Sequence, residues 1–225
     1  MSDVDSAMPE NTRASVELSM AELFRIAAKA RDRAPSEGDQ VLVAIAFSII
    51  AFESTVNDLM AICSFPLAIA KSAVLGKVSD IGKVDRFELW PLKARVLAIY
   101  ESISAPLNWE IEPWLGLDNL IRIRNEITHR HAITGIVHGN SVAGLVVNPV
   151  KRDFQPYLIS RNLISKQEAA EIPWQYSVKK PNVAEWALET CIECVSAVIS
   201  ILPDGQPKRA LRSEFDENVR GYVRG

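Results

Sequence analysis

VLVAIAFSIIAFESTVNDLMAIC, residues 41–63, is apolar on nearly every side as far as Phe52. Such a segment is either a membrane span or the central helix of a helical core. Glu53, Asn57 and Asp58 interrupt it, and the uncharged part falls short of the ~20 residues a bilayer requires. The reading is therefore a central core helix, with no membrane partner. Glu53 and Asn57 stand four residues apart and share one helical face. Polar groups on a helix buried all round need hydrogen-bond partners. The expected role of this pair is structural: each satisfies the other or a neighbouring backbone group and supports the bundle.

Working outward, other apolar stripes recur at helical spacing. Before the central helix, Met20, Leu23, Phe24 and Ala27 predict a helix over 19–33, opened by a capping box of Ser19 and Glu22. After it come a short helix over 67–75, the looser GKVSDIGK, and a helix over 86–102 with Pro91 in its first turns. The proline-punctuated SAPLNWEIEPWLG leads into a strong helix over 114–131. Residues 132–181 change character, with GIVHGN, AGLVV, NPV and IPW, and read as an irregular insertion with one short hairpin and a helical turn at SKQEAAEI. His138, in the His-Gly-Asn turn, is expected as a loop residue. Pro181 then opens a last helix whose stripe is Ala184, Ala187, Leu188, Cys191, Val195, Val198 and Leu202. The expected organisation is a disordered 1–14, a single helical domain over 15–202 and a polar, mixed-charge tail over 203–225. The fold class is all-α, a bundle of four to five helices.

Composition narrows function. The 225 residues are 48% hydrophobic and 24% charged, which is a globular balance, and the net charge of −3 argues against coating nucleic acid through bulk positive charge. The N-terminal MSDVDSAMPENTRAS lacks a basic region followed by an apolar one, and three cysteines make no disulfide framework. A reducing, cytoplasmic setting is expected. Cys191-x-x-Cys194 lies on an apolar stripe and reads as buried structural thiols rather than a zinc or redox pair. Glu126-x-x-His129 has the spacing of a di-metal bundle, but with three histidines in the chain and no second such motif no metal and no cofactor is expected.

The chemistry concentrates in WLGLDNLIRIRNEITHRH, residues 114–131. Leu117, Leu120, Ile121 and Ile127 form its apolar stripe, and Ile123 lies off it, facing a partner chain. Arg122, Asn125, Glu126 and His129 fall on one narrow face. Arg124, five residues before His129, projects well round the helix from it. Arginine offers a planar, permanently charged fork for phosphoryl oxygens, and histidine exchanges a proton near neutral pH.

Arg124-Asn125-Glu126-Ile127-Thr128-His129 resembles the R-x4-6-H motif of the HEPN family, helical proteins often built as ribonucleases. The polar Asn125 after the arginine, the Leu/Ile-rich run before the motif, and the earlier helix with Glu53 and Asn57 fit the same pattern, over about residues 20–131. The resemblance implies a metal-independent endoribonuclease of toxin or phage-defence type. It works as a homodimer whose two motif helices form one composite cleft. It further implies that His129 moves the proton of the 2′-hydroxyl or of the leaving oxygen, that Arg124 stabilises charge on phosphorus, and that Asn125 orients His129 or the phosphate. Arg122, Glu126, His131, Glu53 and Asn57 would support them. RNA and an antitoxin or regulatory protein are the implied partners. Some toxins of the family carry a modifiable tyrosine two residues after the histidine; here that position is His131. The competing expectation is a non-catalytic helical module that uses the same face to bind a protein or nucleotide.

Overall fold

The structure is a computed structural model and describes residues 20–63, 73–82, 87–128, 136–138, 146–148 and 152–219. Its helices are α1 (Met20–Arg33), α2 (Gln40–Cys63), α3 (Ala73–Gly82), α4 (Leu92–Ser102), α5 (Trp114–Thr128), α6 (Gln155–Ser160), α7 (Lys166–Glu171), α8 (Trp174–Ser177), α9 (Pro181–Ile201) and α10 (Gln206–Asn218). A short antiparallel pair, β1 (Ile136–His138) with β2 (Val146–Asn148), aligns Val137 with Val147. Among the described residues the fold is all-α apart from this small ribbon, and His138 is the last residue of β1 rather than a loop residue.

The all-round apolar α2 lies at the centre and packs against α1, α3, α4, α5, α9 and α10. Val41, Ala44, Ile45, Ile49, Phe52, Val56 and Leu59 are all fully buried there. Among the described residues α2 is also the one helix long and apolar enough to cross a membrane, and more than half of its most apolar window is buried inside the fold. The α9 stripe expected from the sequence is buried at every position from Ala184 to Leu202. Burial pushes the Cys63 thiol up to about 12 and moves Cys191 and Cys194 upward for the same reason, which keeps all three as thiols inside the core.

Several boundaries differ from the sequence reading, each for a local reason. GKVSDIGK is not loose: residues 76–82 are helical in α3, where Val78 is buried and Ile81 packs against the core. The helix expected over 86–102 is divided. A 3-10 turn at Phe87–Leu89 precedes Pro91, whose extended backbone (φ −52°, ψ 139°) forms the N-cap of α4. Residues 152–181 are not irregular, because three short helices fill them, and the turn at SKQEAAEI is α7 with a complete Ser165–Glu168 capping box. The expected polar tail contains α10, which buries Leu211, Phe215 and Val219 at helical spacing between charged residues. Ile123 does not face a partner; it is fully buried within its own chain. Ser19 and residues 1–14 lie outside the described residues, and Glu22 bonds Arg25 at 2.7 Å.

Candidate functional site

The motif helix α5 is anchored at its start and open at its end. Glu112 accepts a hydrogen bond from the Gly116 amide at 3.1 Å, satisfying one of the donors left over in a first helical turn. Trp114 lies edge-on to Phe52, Tyr100 and Trp109, with centroids 6.3, 5.4 and 5.6 Å away. At Gly116 a Cβ would stand 2.9 Å from Thr190 Cγ2, so the missing side chain lets α5 approach α9. In the last described turn the Thr128 hydroxyl donates to the carbonyls of Arg124 and Asn125, at 3.0 and 3.2 Å.

The charges of α5 divide into two sets. Asp118 accepts from Lys93 of α4 at 2.8 Å and from Arg122 at 3.0 Å. Lys93 itself lies over the Trp109 ring, 4.7 Å from its centroid. Arg122 also stands 4.0 Å from Asp153, and Glu126 pairs with Arg152 at 3.1 Å. Arg122, Asn125, Glu126, Arg152, Asp153 and Phe154 together line an open cleft of about 280 Å³. The segment expected as an insertion thus folds back onto the motif helix and supplies half of a polar cleft.

Arg124 stands apart from this cleft. Its position three and four residues beyond Ile121 and Leu120 continues the buried side of α5, and the residue is half-buried. Its Nε is buried without a hydrogen-bond partner, and among the described residues Arg124 makes no ion pair. Of the four charged side chains on α5, Asp118, Arg122 and Glu126 are committed to intrachain pairs and Arg124 is not. Asn125 is exposed at the cleft wall. His129 and His131 lie outside the described residues.

Glu53 and Asn57 do come together, but on a partner that sequence reading missed. Arg95 of α4 is 2% exposed; its Nη1 donates to Asn57 Oδ1 at 2.7 Å and its Nη2 pairs with Glu53 Oε1. Among the described residues both side chains are held by Arg95. Glu53 is half-buried and Asn57 exposed, and the buried member of the cluster is the guanidinium they hold. A signal for this was present: Arg95 sits between Leu92 and Ile99 on the apolar stripe of α4, where a charge demands a partner.

Among the described residues no three His, Cys, Asp or Glu side chains are placed to share a metal ion. No family model, curated protein or solved structure matches the chain, so its own residues carry the reading of the site.

Proposed function

We propose that the protein is a HEPN-like, metal-independent endoribonuclease of toxin or phage-defence type, acting as a homodimer. The observation that carries this reading is the state of Arg124. Among the described residues its guanidinium has a buried, unpaired Nε and no carboxylate partner, a costly state that an anion would relieve. It sits in the last described turn of α5, within the Arg124–His129 motif.

In this reading the 2′-oxygen of a ribose attacks the adjacent phosphorus and the bond to the 5′-oxygen breaks. His129 takes up the 2′-proton and returns a proton to the departing 5′-oxygen. Arg124 stabilises the charge that builds on the phosphoryl oxygens, and Asn125 orients the reacting groups. Because the nucleophile is the 2′-hydroxyl, RNA is cut and DNA is not, and the product ends in a cyclic phosphate. By helical spacing a residue five positions after Arg124 would point well round the helix from it, so in this reading the helix of a second copy supplies the complementary group.

Purified wild type and His129→Ala, incubated with total RNA in excess chelator, test the proposal. The expected result is cleavage by the wild type that chelator does not stop and that the variant loses. Equal cleavage by both, or none by the wild type, would replace the nuclease with a non-catalytic binding module.

A further inference from the structure

The cleft between α5 and the turn that enters α6 has features that a casual surface hollow lacks. Arg152 is fixed at both ends. Its backbone amide donates to Gln155 Oε1 at 2.7 Å, and Gln155 is 3% exposed with its Nε2 bonded to the Ala169 carbonyl at 3.3 Å. Its guanidinium is held by Glu126 at 3.1 Å, yet its Nε is buried with no partner. Across the cleft Arg122 is held by Asp118, which Lys93 holds in turn. Two pre-positioned guanidinium groups therefore share one small space, the arrangement suited to bidentate capture of a phosphoryl group.

We propose that this cleft is a phosphate subsite for an RNA backbone phosphate other than the scissile one, with Arg152 as its principal donor and Arg122 opposite. The identity of the strand as RNA rests on the nuclease reading above. The volume of about 280 Å³ lies just below the ~300–1,000 Å³ range of small-molecule pockets and admits a phosphate with part of its ribose. Phe154 lines the cleft but is only 2% exposed, so it offers no face for stacking. Recognition there is by charge, independent of base identity. Glu126 competes with the phosphate for Arg152. Its removal and the removal of Arg152 therefore have opposite effects on binding.

The test uses the full chain and a fluorescent 12-residue oligoribonucleotide, 2′-O-methylated throughout so that no 2′-hydroxyl can attack. Anisotropy is measured across a salt series for wild type, Arg152→Gln and Glu126→Gln, and thermal melting checks that each variant is folded. Arg152→Gln is expected to weaken binding about tenfold and to reduce the slope of log affinity against log salt by about 0.7, the loss of one single-strand phosphate contact. Glu126→Gln is expected to tighten binding. A purely structural ion pair would make both variants less stable and leave the salt slope alone, which would overturn the proposal. Inorganic phosphate that bound the wild type as tightly as the oligonucleotide would overturn the assignment to a nucleic-acid strand. RNA cleavage with an unchanged salt slope in Arg152→Gln would remove the subsite and leave the nuclease. An Arg152-dependent slope without any cleavage would remove the nuclease and leave the subsite.

Discussion

At the scale of single residues, two arginines illustrate opposite uses of the same group. Arg95 is buried and answered by Glu53 and Asn57, and its effect is on stability. Breaking a buried pair by removing one member costs about 3–5 kcal/mol. Glu53 is partly solvated, which lowers the expected cost of Glu53→Ala to about 2 kcal/mol in urea unfolding. The double variant Glu53→Leu with Arg95→Met should recover most of that loss, because the charge that needed a partner is gone. Arg124 has no ion pair to lose among the described residues, and the proposed nuclease reading gives it an effect on chemistry. Arg124→Ala should leave the melting temperature near that of the wild type while lowering RNA cleavage about a hundred- to thousand-fold, the usual consequence of removing one charge-stabilising donor. A large fall in melting temperature would show that Arg124 is a structural residue.

At the scale of elements, the position of α5 depends on a missing side chain. Replacing a helical glycine by alanine normally stabilises a helix, by about 0.5–1 kcal/mol in its interior and no more than that in a first turn, where Gly116 lies. At Gly116 the added Cβ would meet Thr190 Cγ2 at 2.9 Å, and overpacking a close contact costs about 1–3 kcal/mol. The steric effect is the larger, so Gly116→Ala should destabilise. Thr190→Ser, which removes the Cγ2 methyl, should partly rescue it in a double-mutant cycle. Element α7 makes a pH-dependent contribution. Hydrogen bonds from Lys180 and from Ser165 lower the Glu168 carboxyl from the usual 4.5 to about 2. A carboxylate held below its unfolded value stabilises the fold above pH 4.5, and that contribution is lost as the pH falls from there towards 2. Wild type should therefore lose stability relative to Glu168→Gln across that window. Because the pair is near the surface, the difference should stay within about 1 kcal/mol. No change in the difference across the window would show that the Lys180 and Ser165 contacts contribute nothing.

At the scale of the whole molecule, the sequence reveals those elements whose patterns are uninterrupted. The all-round apolar α2 and the seven-residue stripe of α9 point to an all-α fold; the α9 stripe is buried at every position, while α2 is buried on most sides and leaves Ile50 exposed. What escapes the sequence is hidden by neighbours in the chain or by distance along it. The stripe of Leu211, Phe215 and Val219 is masked by the charges around it, and Pro91 ends one element and starts another within a run that looks continuous. Ile123 falls off the apolar stripe counted from Leu117, yet that side of α5 is buried within its own chain too. Arg122, Asn125 and Glu126 share a face, as their spacing requires, but the cleft they line is completed by Arg152 and Asp153 from another part of the chain. No local pattern announces that meeting.

The account's central claim is that Arg124 of one copy and His129 of another act on the same phosphate, and complementation measures it directly. Arg124→Ala and His129→Ala are each assayed alone for chelator-resistant RNA cleavage, then unfolded together, refolded and assayed as a mixture. Each variant alone should be inactive. The mixture should regain part of the wild-type activity, because a mixed dimer carries one intact Arg124 facing one intact His129. Variants that are inactive alone and stay inactive when mixed, although mixed dimers form, would contradict a site shared between two chains.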